Sequence, residues 1–150
     1  MNWGGMIGLL MGFLFGALIL KRVLPQINRF ALKFLFRRRY GRKGKSILFV
    51  YSDSSLWKEY VEENILPRLE PHAVVLNWSK RQEWKGQNRF ETRVFENWAG
   101  ADEFVPTAIV FSRTGKVQVF RLWPTSRDRK PGKAKPLPEA RQALLAAVGK

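Results

Sequence analysis

The chain of 150 residues has no cysteine and a single histidine. Without thiols there is no disulfide, no thiolate nucleophile and no Cys-containing metal site, so dithiol redox chemistry is excluded. His72 precedes a predicted strand and has no spaced ligand partner, which makes it a strand-end imidazole and leaves no zinc pattern. Neither a metal nor any other cofactor is expected. Acidic residues are scarce, 12 Asp and Glu against 27 Lys and Arg. No paired carboxylate motif stands out, and Glu62-Glu63 reads as a solvated helix face.

The net charge of +15 is unevenly placed. Between Lys21 and Lys45 there are ten basic residues and no acidic one. Residues 46–120 carry nine basic and ten acidic side chains, whereas residues 121–150 carry eight and two. The charge therefore sits on the flanks of a nearly neutral body, and this placement argues against nucleic acid as the partner. The length allows one compact domain with appendages.

Trp3 to Leu20 contains no charged side chain and, as a helix, would be about 27 Å long, close to a bilayer's hydrocarbon thickness. Cations follow this run instead of preceding it, the reverse of a cleaved signal peptide. The sequence thus predicts one transmembrane helix within residues 1–24, with the N-terminus out and the C-terminal domain cytoplasmic. Trp3 fits an interfacial belt residue. Gly4, Gly8, Gly12 and Gly16 recur every four residues and form a stripe suited to close helix association, including a homo-oligomer through the span.

Pro25 is expected to end or bend that helix. Ile27, Phe30, Ala31, Phe34 and Leu35 then follow at helical spacing, with Arg29, Lys33 and Arg37 off the stripe. Residues 25–45 read as a basic amphipathic juxtamembrane helix and linker. Arg37, Arg38, Arg39, Arg42, Lys43 and Lys45 are its candidate contacts to anionic headgroups. Leu32 and Phe36 fall off the stripe. Packing of the helix on its own domain or on a partner span is the alternative. Gly44-Lys45-Ser46 is not a phosphate loop, because Arg39 stands where the first glycine is required and a strand follows. Gly41 to Lys45 reads as a flexible linker.

Ile47 to Tyr51 and Ala73 to Trp78 are apolar runs of strand length. Ser52-Asp53-Ser54-Ser55 supplies N-cap chemistry for a helix from about Ser54 to Leu69, bent near Pro67. This βαβ opening requires parallel strands. Phe90, Val94, Phe95 and Trp98 mark a helix over residues 89–99. Val105 to Phe111 and Val117 to Leu122 form a hairpin with Gly115 in its turn. A Pro- and Lys-rich loop over residues 127–138 leads to a final helix ending at Val148.

Residues 46–150 therefore predict an α/β domain of order βαβ-α-ββα. Phe104-Val105-Pro106-Thr107-Ala108-Ile109-Val110-Phe111 and Thr114-Gly115-Lys116-Val117 resemble the thioredoxin-like family's cis-proline strand and following hairpin. Asp53-Ser54-Ser55-Leu56-Trp57-Lys58 stands where that family has its redox turn, and Pro67 is similar to its helix-bending proline. Ser54 and Trp57 replace the two redox cysteines, so the resemblance implies geometry without disulfide exchange. It implies a binding groove formed by Ser54, Ser55, Trp57, Val105 and Pro106 for an extended peptide or a thiol ligand.

No catalytic residue is assigned. Ser54 reads as an N-cap, and as an activating hydroxyl only in an alternative enzymatic reading; Trp57 either lines the groove or packs on the domain. The expected function is a membrane-tethered, redox-inactive module binding an unidentified protein or peptide. The alternatives are a non-redox enzyme using Ser54 and the cis-proline loop, or anionic lipid or nucleic-acid binding through the basic flanks.

Overall fold

The computed structural model describes residues 3–55, 57–87, 89–100, 105–122 and 137–148. The chain forms two units, Met1–Leu35 and Phe36–Lys150.

The first unit is helical. Helix α1 runs without interruption from Trp3 to Tyr40 and contains Pro25. Pro25 therefore does not end the helix. A proline removes one intrahelical N–H, and the helix formers on either side keep the other hydrogen bonds of a long helix.

The expected membrane span is overturned. Among the described residues, no helix is long and apolar enough to cross a membrane. In the part of α1 whose side chains are described, cations recur at Lys21, Arg22, Arg29, Lys33 and Arg37 to Arg39. Within that part they interrupt each apolar stretch before it reaches bilayer length. The transmembrane helix, the single-pass topology and its N-out orientation are corrected accordingly.

The amphipathic stripe is real, but it faces outward. Ile27, Phe30, Phe34 and Leu35 are exposed, whereas the off-stripe Leu32 and Phe36 are buried. Gly41–Lys43 forms a 3-10 turn, closed by Gly44 at φ 73° and by the Lys45 N–H donating to the Tyr40 carbonyl at 3.1 Å. The expected flexible linker is therefore an ordered turn, in which glycine supplies the left-handed backbone.

The second unit is an α/β fold on a four-stranded mixed sheet of order β2-β1-β3-β4. Its strands are β1 (Ile47–Tyr51), β2 (Ala73–Asn77), β3 (Thr107–Phe111) and β4 (Val117–Arg121). β1 and β2 are parallel, as the βαβ reading requires, and β3 is antiparallel to both β1 and β4. The central strands β1 and β3 are buried, Tyr51 only partly, because both faces of the sheet are covered.

Alternation along the strands divides the core between the two faces. Ile47, Phe49, Ala73, Ala108 and Val110 pack with Val61, Ile65, Leu69 and Leu144. These last four come from helices α2 (Lys58–Asn64) and α3 (Leu66–Leu69), the residue Ile65 between them, and α6 (Leu137–Val148). Helix α5 (Arg89–Ala99), preceded by α4 (Arg81–Gln87), contacts β1 and β3 and buries Val94 and Phe95. The last turn of α1 joins this aromatic layer. The Phe36 ring stacks on Phe111 at 4.3 Å between centroids, and Trp98 meets Phe111 edge-on at 5.4 Å.

The helix expected from Ser54 to Leu69 is two helices, with the break at Ile65, just before Pro67. Pro67 occupies the first turn of α3, where its missing N–H costs no hydrogen bond. Strand β3 begins after Pro106 instead of at Val105, and the Val105–Pro106 peptide bond is cis.

Candidate functional site

The register of the sheet gathers the chemistry at one end. Tyr51 pairs with Asn77, and Val50 pairs with Thr107, so β1 and β2 finish beside the start of β3. The chain leaving β1 through Ser52, Asp53 and Ser54 therefore emerges between the end of β2 and Pro106. The carboxyl ends of parallel strands are where open α/β sheets commonly hold ligands.

Polar bonds fix the β2 side of this end. Asn77 Nδ2 donates to Asp53 Oδ1 at 2.9 Å, and the Asp53 backbone N–H donates to Ser79 Oγ at 2.9 Å. Asn77 Oδ1 also accepts from the Ser79 N–H at 2.9 Å, which caps the 3-10 turn Trp78–Lys80. Lys58 Nζ lies 3.5 Å from Asp53 Oδ1. The Asn77 hydrogen bond, helped by Lys58, holds the Asp53 carboxyl below its ordinary range. Asp53 thus joins the ends of the two parallel strands. Sequence reasoning missed Asn77 and Ser79, whose roles depend on strand register.

Ser54 acts through its backbone. Its carbonyl accepts from the Trp57 and Lys58 N–H groups at 3.0 and 2.9 Å, forming the turn that leads into α2. The helix starts at Lys58 with Trp57 as its N-cap, and that cap has no side-chain hydrogen bond. The expected N-cap hydroxyl is therefore replaced by a carbonyl-closed turn. Ser55 is exposed beside it. Trp57 is half-buried and packs against the apolar cluster, so its ring is at least partly structural. Leu56 and Phe104, which carried part of the resemblance, lie outside the described residues.

On the other side, Pro106 is buried and Val105 half-buried. The Pro106 carbonyl accepts from the Leu122 N–H at 3.0 Å, which fixes the start of the hairpin. The register thus brings Ser54 and Ser55 to the same sheet end as Val105 and Pro106.

His72 lies at the opposite end. It precedes Ala73, which pairs with Ile47 at the start of β1. A strand of this length separates His72 from Ser54 by roughly 13 Å or more, beyond any proton transfer between them. The His72 carbonyl instead accepts from the Ser46 and Ile47 N–H groups at 2.9 and 3.2 Å. Among the described residues, no cluster of His, Asp or Glu could hold a metal ion.

The basic residues assigned to headgroups divide into two sets. Arg37 Nη2 donates to the Arg113 carbonyl at 3.3 Å, Lys45 Nζ donates to the Ala73 carbonyl at 2.8 Å, and Arg39 lies 3.7 Å from Glu91. These three brace the domain. Arg38, Arg42 and Lys43 are exposed. Gly16 is also exposed, with open space where a Cβ would stand. The surroundings of Gly4, Gly8 and Gly12 lie outside the described residues.

A buried carboxylate is the feature that sequence reasoning missed altogether. Glu91 is 1% exposed and accepts a hydrogen bond from the Tyr40 hydroxyl, with Arg39 as its ion-pair partner. Burial, followed by the Glu91 hydrogen bond and charge, raises the Tyr40 phenol to about 12, while Arg39 pulls the other way. A signal was present, because Glu91 lies three, four and seven residues before Val94, Phe95 and Trp98, on the apolar stripe of α5.

No protein-family model matches the chain, and no curated protein and no solved structure matches it either.

Proposed function

We propose that Phe36–Lys150 is a redox-inactive, thioredoxin-like binding module that holds an extended peptide segment of a protein partner. The observation that carries this reading is the shared sheet end. The Ser54-Ser55 turn and the Val105-Pro106 segment both lie at the C-terminal end of β1, beside the start of β3. A strand order of β2-β1-β3-β4, with a parallel first pair and an antiparallel second pair, agrees with the resemblance. Backbone exposed beside a strand end can hydrogen-bond an extended chain without requiring a particular sequence, while Trp57 and Val105 offer apolar contact. The absence of cysteine excludes thiol–disulfide exchange at this sheet end.

Affinity selection of random extended peptides on the full chain tests this reading. Peptides should be enriched, and their binding should fall about tenfold or more with Ser55→Arg or Val105→Arg. Enrichment that is indifferent to both substitutions would place the ligand elsewhere, and no enrichment would refute the reading. Serine-based catalysis gains no support from the geometry, because the chain's one histidine is a strand length away from Ser54.

A further inference from the structure

Within the first unit, Leu20, Val23, Ile27, Phe30 and Phe34 follow one another at alternating spacings of three and four residues on a continuous helix. All five are exposed, Ile27 by 58%, Phe30 by 66% and Phe34 by 56%, with Ile19, Leu24 and Leu35 exposed beside them. This is the a/d spacing of a helix-pairing seam. Set in that register, Lys21, Arg22 and Arg29 fall at b and c. Lys33 falls at g, bordering the seam, with its Nζ 5.3 Å from the Phe30 ring centroid. No acidic residue occurs anywhere before Asp53.

We propose that Leu20 to Phe34 is a docking seam for one amphipathic helix of another protein, with apolar side chains at the same 3-4 spacing and Asp or Glu on its flanks. The spacing selects a helix as the occupant, because five successive positions present knobs to a facing helix's holes. The charge selects its chemistry. A second copy of this helix would bring cations against cations, with no carboxylate on either helix, whereas an acid-flanked helix sets carboxylates along the cationic border of the seam as it covers it. The seam is independent of the shared sheet end, so either reading can fail without the other.

The test uses the full chain and a fluorescent three-heptad synthetic helix with Leu at a and d and Glu at e and g, beside a control carrying Lys at e and g. The Glu peptide should bind about tenfold or more tightly than the Lys peptide, and its affinity should fall as salt is added. Phe30→Glu, a change at an exposed position that leaves folding intact, should weaken binding about tenfold or more. Equal binding of the two peptides, or binding of neither, overturns the proposal. Sedimentation showing self-association that Phe30→Glu abolishes overturns it in favour of a second copy. Binding to anionic phospholipid vesicles in place of the Glu peptide overturns it in favour of a lipid surface.

Discussion

The hydroxyl of Tyr40, in the last turn of α1, donates to the carboxylate of Glu91, which is buried on α5. Arg39 lies beside the same oxygen and over the Tyr40 and Phe90 rings. The pair ties the end of a long helix to the sheet's aromatic layer. Tyr40→Phe would leave a desolvated carboxylate with its hydroxyl donor removed, at a cost of about 2 kcal/mol. Tyr40→Phe with Glu91→Leu should recover much of that loss, because the buried carboxylate is then gone. Denaturant unfolding of the single and double variants measures both effects. A double variant less stable than Tyr40→Phe alone would contradict this reading of the pair.

The same contact sets an alkaline limit. The Tyr40 phenol is raised from 10.0 to about 12, chiefly by burial and then by Glu91. A group raised on folding contributes stability that is complete below its unfolded value and is lost as pH climbs through the folded value. Stability should therefore decline between about pH 10 and pH 12. Phenolate absorbance should show one tyrosine ionising near the upper figure, and Glu91→Gln should lower it. Burial also raises Tyr51, with Glu62 and Asp53 adding to the effect, which reinforces the alkaline decline.

At the other extreme of pH, the Asp53 carboxyl is held low by Asn77 and Lys58. A depressed carboxyl contributes stability above its unfolded value, and this is lost as pH falls through the folded value. Asn77→Ala should raise the Asp53 titration toward its ordinary value by removing the largest cause of the shift. Carbon-detected NMR of the Asp53 carboxyl reads this directly, and an unchanged titration in the variant would remove Asn77 from the account.

Phe36 sets the boundary of the second unit. It is fully buried and stacks on Phe111, and the unit begins at this residue. Phe36→Ala should cost about 3–5 kcal/mol as a large-to-small core substitution. A chain beginning at Ser46, the boundary expected from sequence, should be destabilised by at least as much, because it also loses Tyr40 and Arg39. Thermal unfolding of both truncated and substituted chains tests this against the full chain.

The strands and α5 were legible because their signals are local. Ile47 to Tyr51 and Thr107 to Phe111 are apolar runs of strand length, and Phe90, Val94, Phe95 and Trp98 show the helical period. The faces of α1 were not legible. Ile27, Phe30 and Phe34 make the stronger stripe, yet the residues buried are Leu32 and Phe36, because what covers a helix is decided by tertiary packing and periodicity reports only which residues share a face. The expectation of a span rested on the charge-free run before Lys21, and among the described residues no helix meets the length and apolarity required. In the site, Ser54, Ser55 and Pro106 were placed by resemblance and are gathered at one sheet end by strand register. Asn77, Ser79 and Glu91 escaped notice because short polar side chains at strand ends, and one carboxylate on an apolar stripe, acquire roles only through partners distant in sequence.

The central claim is that the shared sheet end binds an extended peptide. Amide hydrogen exchange of the full chain with and without an affinity-selected peptide tests it most directly. Slowed exchange is expected at residues 52–55, 57–58, 105 and 107 and at no others. Slowed exchange elsewhere, with these segments unchanged, would contradict it.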